Sequence, residues 1–298
     1  MEADQIALGY ERLTQKFVAW AQAEPNIRAA VVIGSRARTN HPADEWADLD
    51  IIVFATDIEC YTASAGWVEN VGVHWLSFVE RTPSGGWERR VLFDGGLDVD
   101  FALNMAADLA YLAKGPIPPD VTDIIRRGIR VLVDKDGLLV QLGAIDLHVP
   151  PFQPPTETEF LNLVHDFWYH TVWTTKHLRR GEVWWAKSCC DMYMKEMLRR
   201  MLEWHARAVQ GPEHDTWMRG RFLEEWADPR AVAQLPEVFA QYDRQDIARA
   251  LRATMELFRW LAVEAAQRWG YDYPAAGEQA ATALVETLLT RVNEPSVS

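Results

Sequence analysis

Apolar residues near the start of the chain recur at steps of three and four, which places them on one face of an α-helix. The residues with this spacing are Ile6, Tyr10, Leu13, Phe17 and Trp20. Polar residues fill the positions between them, so the pattern predicts an amphipathic first helix. It should end near Pro25, because proline disfavours a helical conformation in the residue before it.

After this helix, short runs rich in β-branched and aromatic residues alternate with helical patterns. The runs predict strands at residues 27–33, 49–55, 73–80, 88–93, 97–103 and 130–134. Helices are predicted at residues 58–66, 106–113 and 137–144. We therefore predict an α+β fold whose first domain has a mixed β-sheet with flanking helices.

The segment from His148 to Pro155 reads HVPPFQPP. Proline lacks an amide hydrogen and cannot continue a helix or a central strand, so this segment is predicted to be a linker. The chain beyond it is helix-forming, with breaks near Gly181, Gly211, Pro229 and Pro274. The sequence thus predicts a first domain at residues 1–147, a linker at 148–155, and an all-helical domain at 156–298.

Length and composition are typical of a cytoplasmic protein. The chain has 298 residues, of which 49% are hydrophobic, enough to bury two substantial cores. Its apolar runs are too short to span a bilayer, and its start lacks the basic and apolar regions of a signal peptide. The three cysteines show no disulfide or metal-binding spacing.

The formal net charge of −13 is informative about partners. Proteins that bind nucleic acid usually present a basic surface, so the charge argues against DNA or RNA as a substrate. A polycationic small molecule would be attracted instead. Many acidic proteins carry such a charge for solubility alone, and the charge by itself does not choose between these interpretations.

Two short motifs carry candidate chemistry. Gly34 and Ser35 follow the strand at 27–33, and this order predicts a tight turn and a helix start whose amides bind phosphate. Asp48 and Asp50 are separated by one residue at the start of the next strand. Side chains two apart on a strand face the same way, so both carboxylates should lie side by side. Such oxygen ligands suit Mg²⁺.

These motifs resemble the signature of the aminoglycoside 6-adenylyltransferases, the streptomycin-modifying family of the polymerase-beta-like nucleotidyltransferase superfamily. The matching segments are GSR at 34–36, DEW at 44–46, DLDI at 48–51, LFDGGLDVDF at 92–101, the Trp-rich pair of helices at 159–204, and FRWLAVEAAQRWGYDYP at 258–274. The resemblance covers nearly the whole chain. It implies a nucleotidyltransferase domain followed by a helical substrate-binding domain, with the active site in the cleft between them.

The resemblance also implies a reaction and its residues. AMP would pass from ATP to a hydroxyl of a cationic acceptor, streptomycin-like at its 6-position, with release of pyrophosphate. The residues it assigns to the nucleotide are Gly34, Ser35, Arg36 and Lys187. Those it assigns to two Mg²⁺ ions are Asp48, Asp50 and Asp100. Glu182 or Asp166 would serve as the general base or bind the acceptor's ammonium groups.

The chain departs from the family pattern at two positions. Asp98 stands where a basic residue is expected, and it either binds a cationic acceptor, acts as a base, or lies at a solvated strand end. Arg38 stands where a small polar residue is expected, and it either contacts phosphate or pairs with Asp44 or Glu45. His165, His170 and His177 do not have the spacing of a zinc site, and none is predicted.

Two other functions fit the sequence. One is the same chemistry on a different small molecule or on a protein hydroxyl. The other is a catalytically inactive nucleotide-binding module, against which the three aspartates argue. The oligomeric state and the preferred nucleotide are not predicted.

Overall fold

The computed structural model describes residues 3–82, 85–115, 117–143 and 152–290. The chain divides into two compact units, Met1–Pro150 and Pro151–Ser298. The division falls within the predicted linker. Residues 148–151 of that linker lie outside the described residues, and residues 152–155 form neither helix nor strand.

The first unit is built on one sheet of six strands. They are β1 (Ile27–Ile33), β2 (Leu49–Ala55), β3 (His74–Arg81), β4 (Trp87–Phe93), β5 (Leu97–Met105) and β6 (Arg130–Asp134). Their order in the sheet is β3-β4-β5-β2-β1-β6. β2 and β5 run parallel, and each other neighbouring pair is antiparallel. The predicted mixed sheet is confirmed.

Helices of this unit flank the sheet. They are α1 (Ala3–Ala23), α2 (Glu59–Ala63), α3 (Ala106–Leu112), α4 (Pro119–Arg127) and α5 (Leu138–Gly143). The helix predicted at 58–66 is shorter, because a separate 3-10 turn forms at Gly66–Asn70. Helix α4 was not predicted. It begins at Pro119, and proline is favoured in the first turn of a helix although it breaks one elsewhere.

The alternation of side chains along β2 sorts them onto two faces of the sheet. Leu49 and Ile51 are buried in the larger core, which includes Phe17 of α1. Phe54 points to the opposite face and belongs to a smaller core with Leu109 of α3. Asp50 therefore lies on the same face as Phe54, away from the core that α1 covers.

The second unit is helical, and its described residues contain no strand. Its helices are α6 (Glu157–Arg179), α7 (Val183–Ser188), α8 (Met194–Gln210), α9 (Leu223–Trp226), α10 (Pro229–Val238), α11 (Arg244–Trp269) and α12 (Ala275–Thr290). A π-helical segment, Cys189–Tyr193, joins α7 to α8. The four predicted breaks coincide with helix boundaries, and the predicted α+β class is confirmed.

A single core holds this unit together. Phe167 of α6 stacks on Phe258 of α11 with ring centroids 3.6 Å apart. The start of α6 is fixed by a capping box, in which the Glu159 carboxylate accepts a hydrogen bond from the Thr156 amide at 2.8 Å. Among the described helices, none has both the length and the apolar character needed to cross a membrane.

Candidate active site

The turn after β1 is tight, as the sequence predicted, but no α-helix follows it. Gly34 has φ 72°, a conformation that favours glycine, and Gly34–Arg36 form one 3-10 turn. The Gly34 carbonyl accepts hydrogen bonds from the amides of Ala37 and Arg38, both at 3.1 Å. Residues 37–48 then form neither helix nor strand, so the predicted helix start is wrong. Any phosphate bound here would contact turn amides rather than a helix terminus.

Three carboxylates meet beside this turn. Asp50 of β2 and Asp100 of β5 are directly paired in the parallel ladder, and Asp48 immediately precedes β2. One oxygen from each of these residues lies within 4.8 Å of the others. All three side chains are half-buried. Three hard oxygen donors at this spacing fit a Mg²⁺ site, since Mg²⁺ binds a few carboxylates and completes its shell with water and phosphate.

Arg36 holds the chain segment that carries Asp48. Its Nε donates to the Asp48 carbonyl at 2.9 Å, and its Nη2 donates to the Ala47 carbonyl at 2.6 Å. Its guanidinium lies 3.6 Å from the centroid of the Tyr10 ring. This planar donor set fixes the backbone just before β2. Arg36 therefore positions Asp48, and its contact with a nucleotide stays a prediction.

Tyr10 also accounts for the unexpected Asp98. The Tyr10 hydroxyl donates to Asp98 Oδ1 at 2.8 Å, so this carboxylate joins α1 to β5. At the other departure from the family pattern, Arg38 Nε donates to the His41 carbonyl at 2.8 Å.

A basic residue reaches the carboxylates from the neighbouring strand instead. Arg90 of β4 is directly opposite Asp100 in the antiparallel ladder, and its Nη2 lies 3.3 Å from Asp100 Oδ2. Arg90 also pairs with Glu88 at 2.6 Å and Glu80 at 2.8 Å. Sequence reasoning missed it, although the short connection between Phe93 and Leu97 fixes the β4–β5 register and would have placed Arg90 opposite Asp100.

Burial raises the pKa of Asp100 from 3.8 to about 7; the Arg90 guanidinium opposes this, and Glu88 and Asp48 add to it. The folded protein thus binds a proton at Asp100 more tightly than the unfolded chain does. The proton bound at Asp100 therefore stabilises the folded, metal-free protein. This stabilisation is complete at a pH below the pKa of Asp100 in the unfolded chain, and it is lost as the pH rises through about 7.

We expect Mg²⁺ binding to weaken below this pH, because the ion must displace the Asp100 proton. Apparent affinity should fall by about tenfold per pH unit below neutrality and level off above it. Isothermal titration of Mg²⁺ across this range measures the effect. The matched Asp100→Asn variant should bind Mg²⁺ weakly without the pH dependence. A wild-type affinity that is flat across neutrality would contradict the prediction.

The turn opens onto a basic pocket of about 300 Å³. Arginines at positions 36, 38 and 130 line it, together with Ser35 and one acidic residue, Glu11. Glu11 pairs with Arg130 at 3.3 Å. Ser35 Oγ is buried, and no hydrogen-bond partner for it exists among the described residues. A buried hydroxyl of this kind beside several arginines suits an anionic ligand.

The remaining predicted residues belong to the second unit. Lys187 forms an ion pair with Asp191 and donates to the Ala240 carbonyl. Glu182 is the N-cap residue of α7 and pairs with His177 and, at 2.8 Å, with Arg180. The roles predicted for Lys187 and Glu182 stay predictions.

Comparisons with known proteins give one consistent answer. The family model described as "Streptomycin adenylyltransferase" matches residues 9–288. An aminoglycoside 6-adenylyltransferase of Campylobacter jejuni is 24% identical over 272 residues, covering 87% of this chain and 89% of that protein. The corresponding protein of Bacillus subtilis is 25% identical, with 87% and 90% covered.

Among solved structures, the crystal structure of an aminoglycoside 6-adenyltransferase from Bacillus subtilis aligns with 92% of this chain and 96% of its own, at 19% identity and a TM-score of 0.43. The family match over residues 9–288 confirms the resemblance seen in the motifs. The chain belongs to the streptomycin adenylyltransferase family.

Proposed function

We propose that this protein transfers AMP from ATP to a hydroxyl of an aminoglycoside and releases pyrophosphate. The observation that carries the proposal is the cluster of Asp48, Asp50 and Asp100 beside the Gly34 turn. Family membership supports it, because the relatives are named for adenylyl transfer to aminoglycosides. We also infer that the reaction takes place in the cytoplasm.

In this proposal Asp48, Asp50 and Asp100 would hold two Mg²⁺ ions. When bound, these ions would neutralise phosphate charge and orient the triphosphate. The Ser35 hydroxyl and the turn amides would bind the terminal phosphates, with the surrounding arginines supplying positive charge. Arg36 would keep Asp48 in register through its two backbone hydrogen bonds.

The acceptor hydroxyl attacks the α-phosphorus, a new P–O bond forms, and the bond to the bridging oxygen breaks. Pyrophosphate leaves with that electron pair, and the hydroxyl proton passes to a carboxylate base. Glu182 is our proposed base and Asp166 the alternative. Lys187 is proposed to contact phosphate, a role in which it would exchange its ion pair with Asp191 for the nucleotide.

An aminoglycoside is a polycation, and the chain is strongly acidic, with a formal net charge of −13. Attraction over the whole surface would concentrate such an acceptor near the protein. Nucleic acid would be repelled by the same charge.

The direct test is pyrophosphate release from ATP and Mg²⁺ with a panel of aminoglycosides that includes streptomycin. Product analysis by mass spectrometry should show one added AMP on the acceptor. Release without any acceptor, with AMP on the protein itself, would instead favour a protein hydroxyl. Nucleotide binding without any transfer would favour the inactive module.

The cationic acceptor predicts a salt dependence. Raising ionic strength from about 0.01 M to about 0.5 M shortens the screening length severalfold, so the KM for streptomycin should rise by several-fold or more. Sucrose at equal osmolality is the control and should leave that KM unchanged. If the KM for streptomycin does not change with salt, electrostatic attraction does not contribute to binding of the acceptor.

A further inference from the structure

The second unit contains an open apolar pocket of about 480 Å³ between α6 and the segment from α7 to the π-helix. The residues that line it are His170, Trp173, Trp185, Ser188, Cys189, Met192 and Tyr193. No lysine or arginine is among these lining residues. A π-helical segment forms one side, and such segments are common at functional sites.

Aromatic rings dominate this pocket, and two of them are exposed to solvent. Trp185 is 55% exposed and Tyr193 is 48% exposed. The ring centroids of Trp173 and Trp185 lie 5.7 Å apart, and those of His170 and Tyr193 lie 4.5 Å apart. Concave sites lined mainly by aromatic and other apolar side chains are where small molecules bind most often, so this pocket is a candidate binding site.

One carboxylate makes the Tyr193 ring more electron-rich. The Tyr193 hydroxyl donates to Asp166 Oδ2 at 2.9 Å, and His170 Nδ1 lies 2.7 Å from Asp166 Oδ1. A phenol that donates to a carboxylate gains negative charge on its ring face. Because a ring face attracts cations through its negative quadrupole, this arrangement favours a positively charged ligand over a neutral one.

We propose that this aromatic pocket binds a guanidinium group of the acceptor. This proposal rests on the function proposed above. The cation would stack on Trp173, Trp185 or Tyr193, and the Asp166 carboxylate would act through the Tyr193 hydroxyl that it holds. Guanidinium is planar and weakly hydrated, so it enters an apolar pocket and stacks on aromatic faces at less cost than an ammonium group. Streptomycin bears guanidinium groups and serves as the probe for this pocket.

Neighbouring tryptophans give a matched pair of variants. Trp185 lines the pocket, whereas Trp184 is 73% exposed, is not among the lining residues, and contacts Tyr242 with centroids 6.3 Å apart. Because both rings are exposed, neither Trp185→Ala nor Trp184→Ala should unfold the protein. Trp185→Ala should weaken streptomycin binding by about tenfold. Trp184→Ala should leave it unchanged.

Binding is measured by isothermal titration of the full chain with streptomycin, and the KM values for streptomycin and ATP are measured separately. Methylguanidinium should compete with streptomycin at concentrations where methylammonium does not, and Trp185→Ala should remove this difference. Unchanged streptomycin affinity in Trp185→Ala, or equal competition by the two cations, would overturn the proposal. A rise in the KM for ATP alone would also overturn it, since the pocket would then hold the nucleobase.

The two proposals fail in different ways. If streptomycin accepts AMP but Trp185→Ala leaves its KM unchanged, the pocket assignment is wrong and the proposed function stands. If Trp185→Ala weakens streptomycin binding but no AMP is ever transferred, the pocket assignment holds and the proposed function is wrong. Tyr193→Phe tests the role of the carboxylate, because it keeps the ring and removes the hydroxyl that donates a hydrogen bond to Asp166. This variant should weaken streptomycin binding less than Trp185→Ala does.

Discussion

Replacing Asp50 by asparagine should abolish AMP transfer while leaving the protein folded. Asp50 belongs to the carboxylate cluster and is paired in register with Asp100 of β5. Asparagine keeps the shape of the side chain but removes one negative charge and a strong oxygen ligand. The loss of a ligand to a catalytic metal should lower kcat by at least about a thousandfold.

Pyrophosphate release and circular dichroism on the same sample check this result. Asp94→Asn is the matched control, because Asp94 is an exposed residue in the turn between β4 and β5. That variant should keep full activity. A folded Asp50→Asn protein with more than about a tenth of wild-type activity would refute the metal assignment.

Replacing Gly34 by alanine should also have a large effect, for two reasons. Gly34 has φ 72°, where an alanine is strained. A Cβ at this position would also lie far inside van der Waals contact with Asp50 Oδ2. The alanine would therefore push the carboxylate away from its neighbours and distort the turn, and we expect loss of both nucleotide binding and transfer, by about a hundredfold or more.

Gly96→Ala separates these two causes. Gly96 has φ 74°, but a Cβ there would meet nothing within 4 Å. It therefore has the backbone strain of Gly34→Ala without the contact to a carboxylate. Titration with a nonhydrolysable ATP analogue should show a large loss for Gly34→Ala and little change for Gly96→Ala. Lost acceptor affinity with unchanged nucleotide affinity in Gly34→Ala would place the nucleotide elsewhere.

Local patterns predicted much of the site. The β-branched runs gave the bounds of β1 and β2, and the spacing of Asp48 and Asp50 predicted that their carboxylates lie side by side. These features depend on neighbours in sequence. The cluster with Asp100 required a second strand, which the family resemblance supplied rather than the residues themselves.

Two side-chain contacts near the cluster were missed, although the register of β4 and β5 follows from the short connection between them. Arg90 approaches Asp100 only because β4 and β5 pair in one register, and Arg36 was expected at phosphate although it holds the Asp48 backbone. Both functions depend on where a long side chain turns after the backbone is fixed. The aromatic pocket was missed for the same reason, since Trp-rich helices usually bury such rings in a core.

The contacts that shape the carboxylate cluster have a consequence for how the protein is made. Tyr10, Arg36, Arg90, Asp98 and Asp100 all precede the second unit, which begins at Pro151. The bond between Tyr10 and Asp98 closes a loop of 88 residues, so it forms only after β5 has left the ribosome. Domains tend to fold in order of synthesis. We therefore expect the nascent chain to assemble its carboxylate cluster while the helical unit is still being translated.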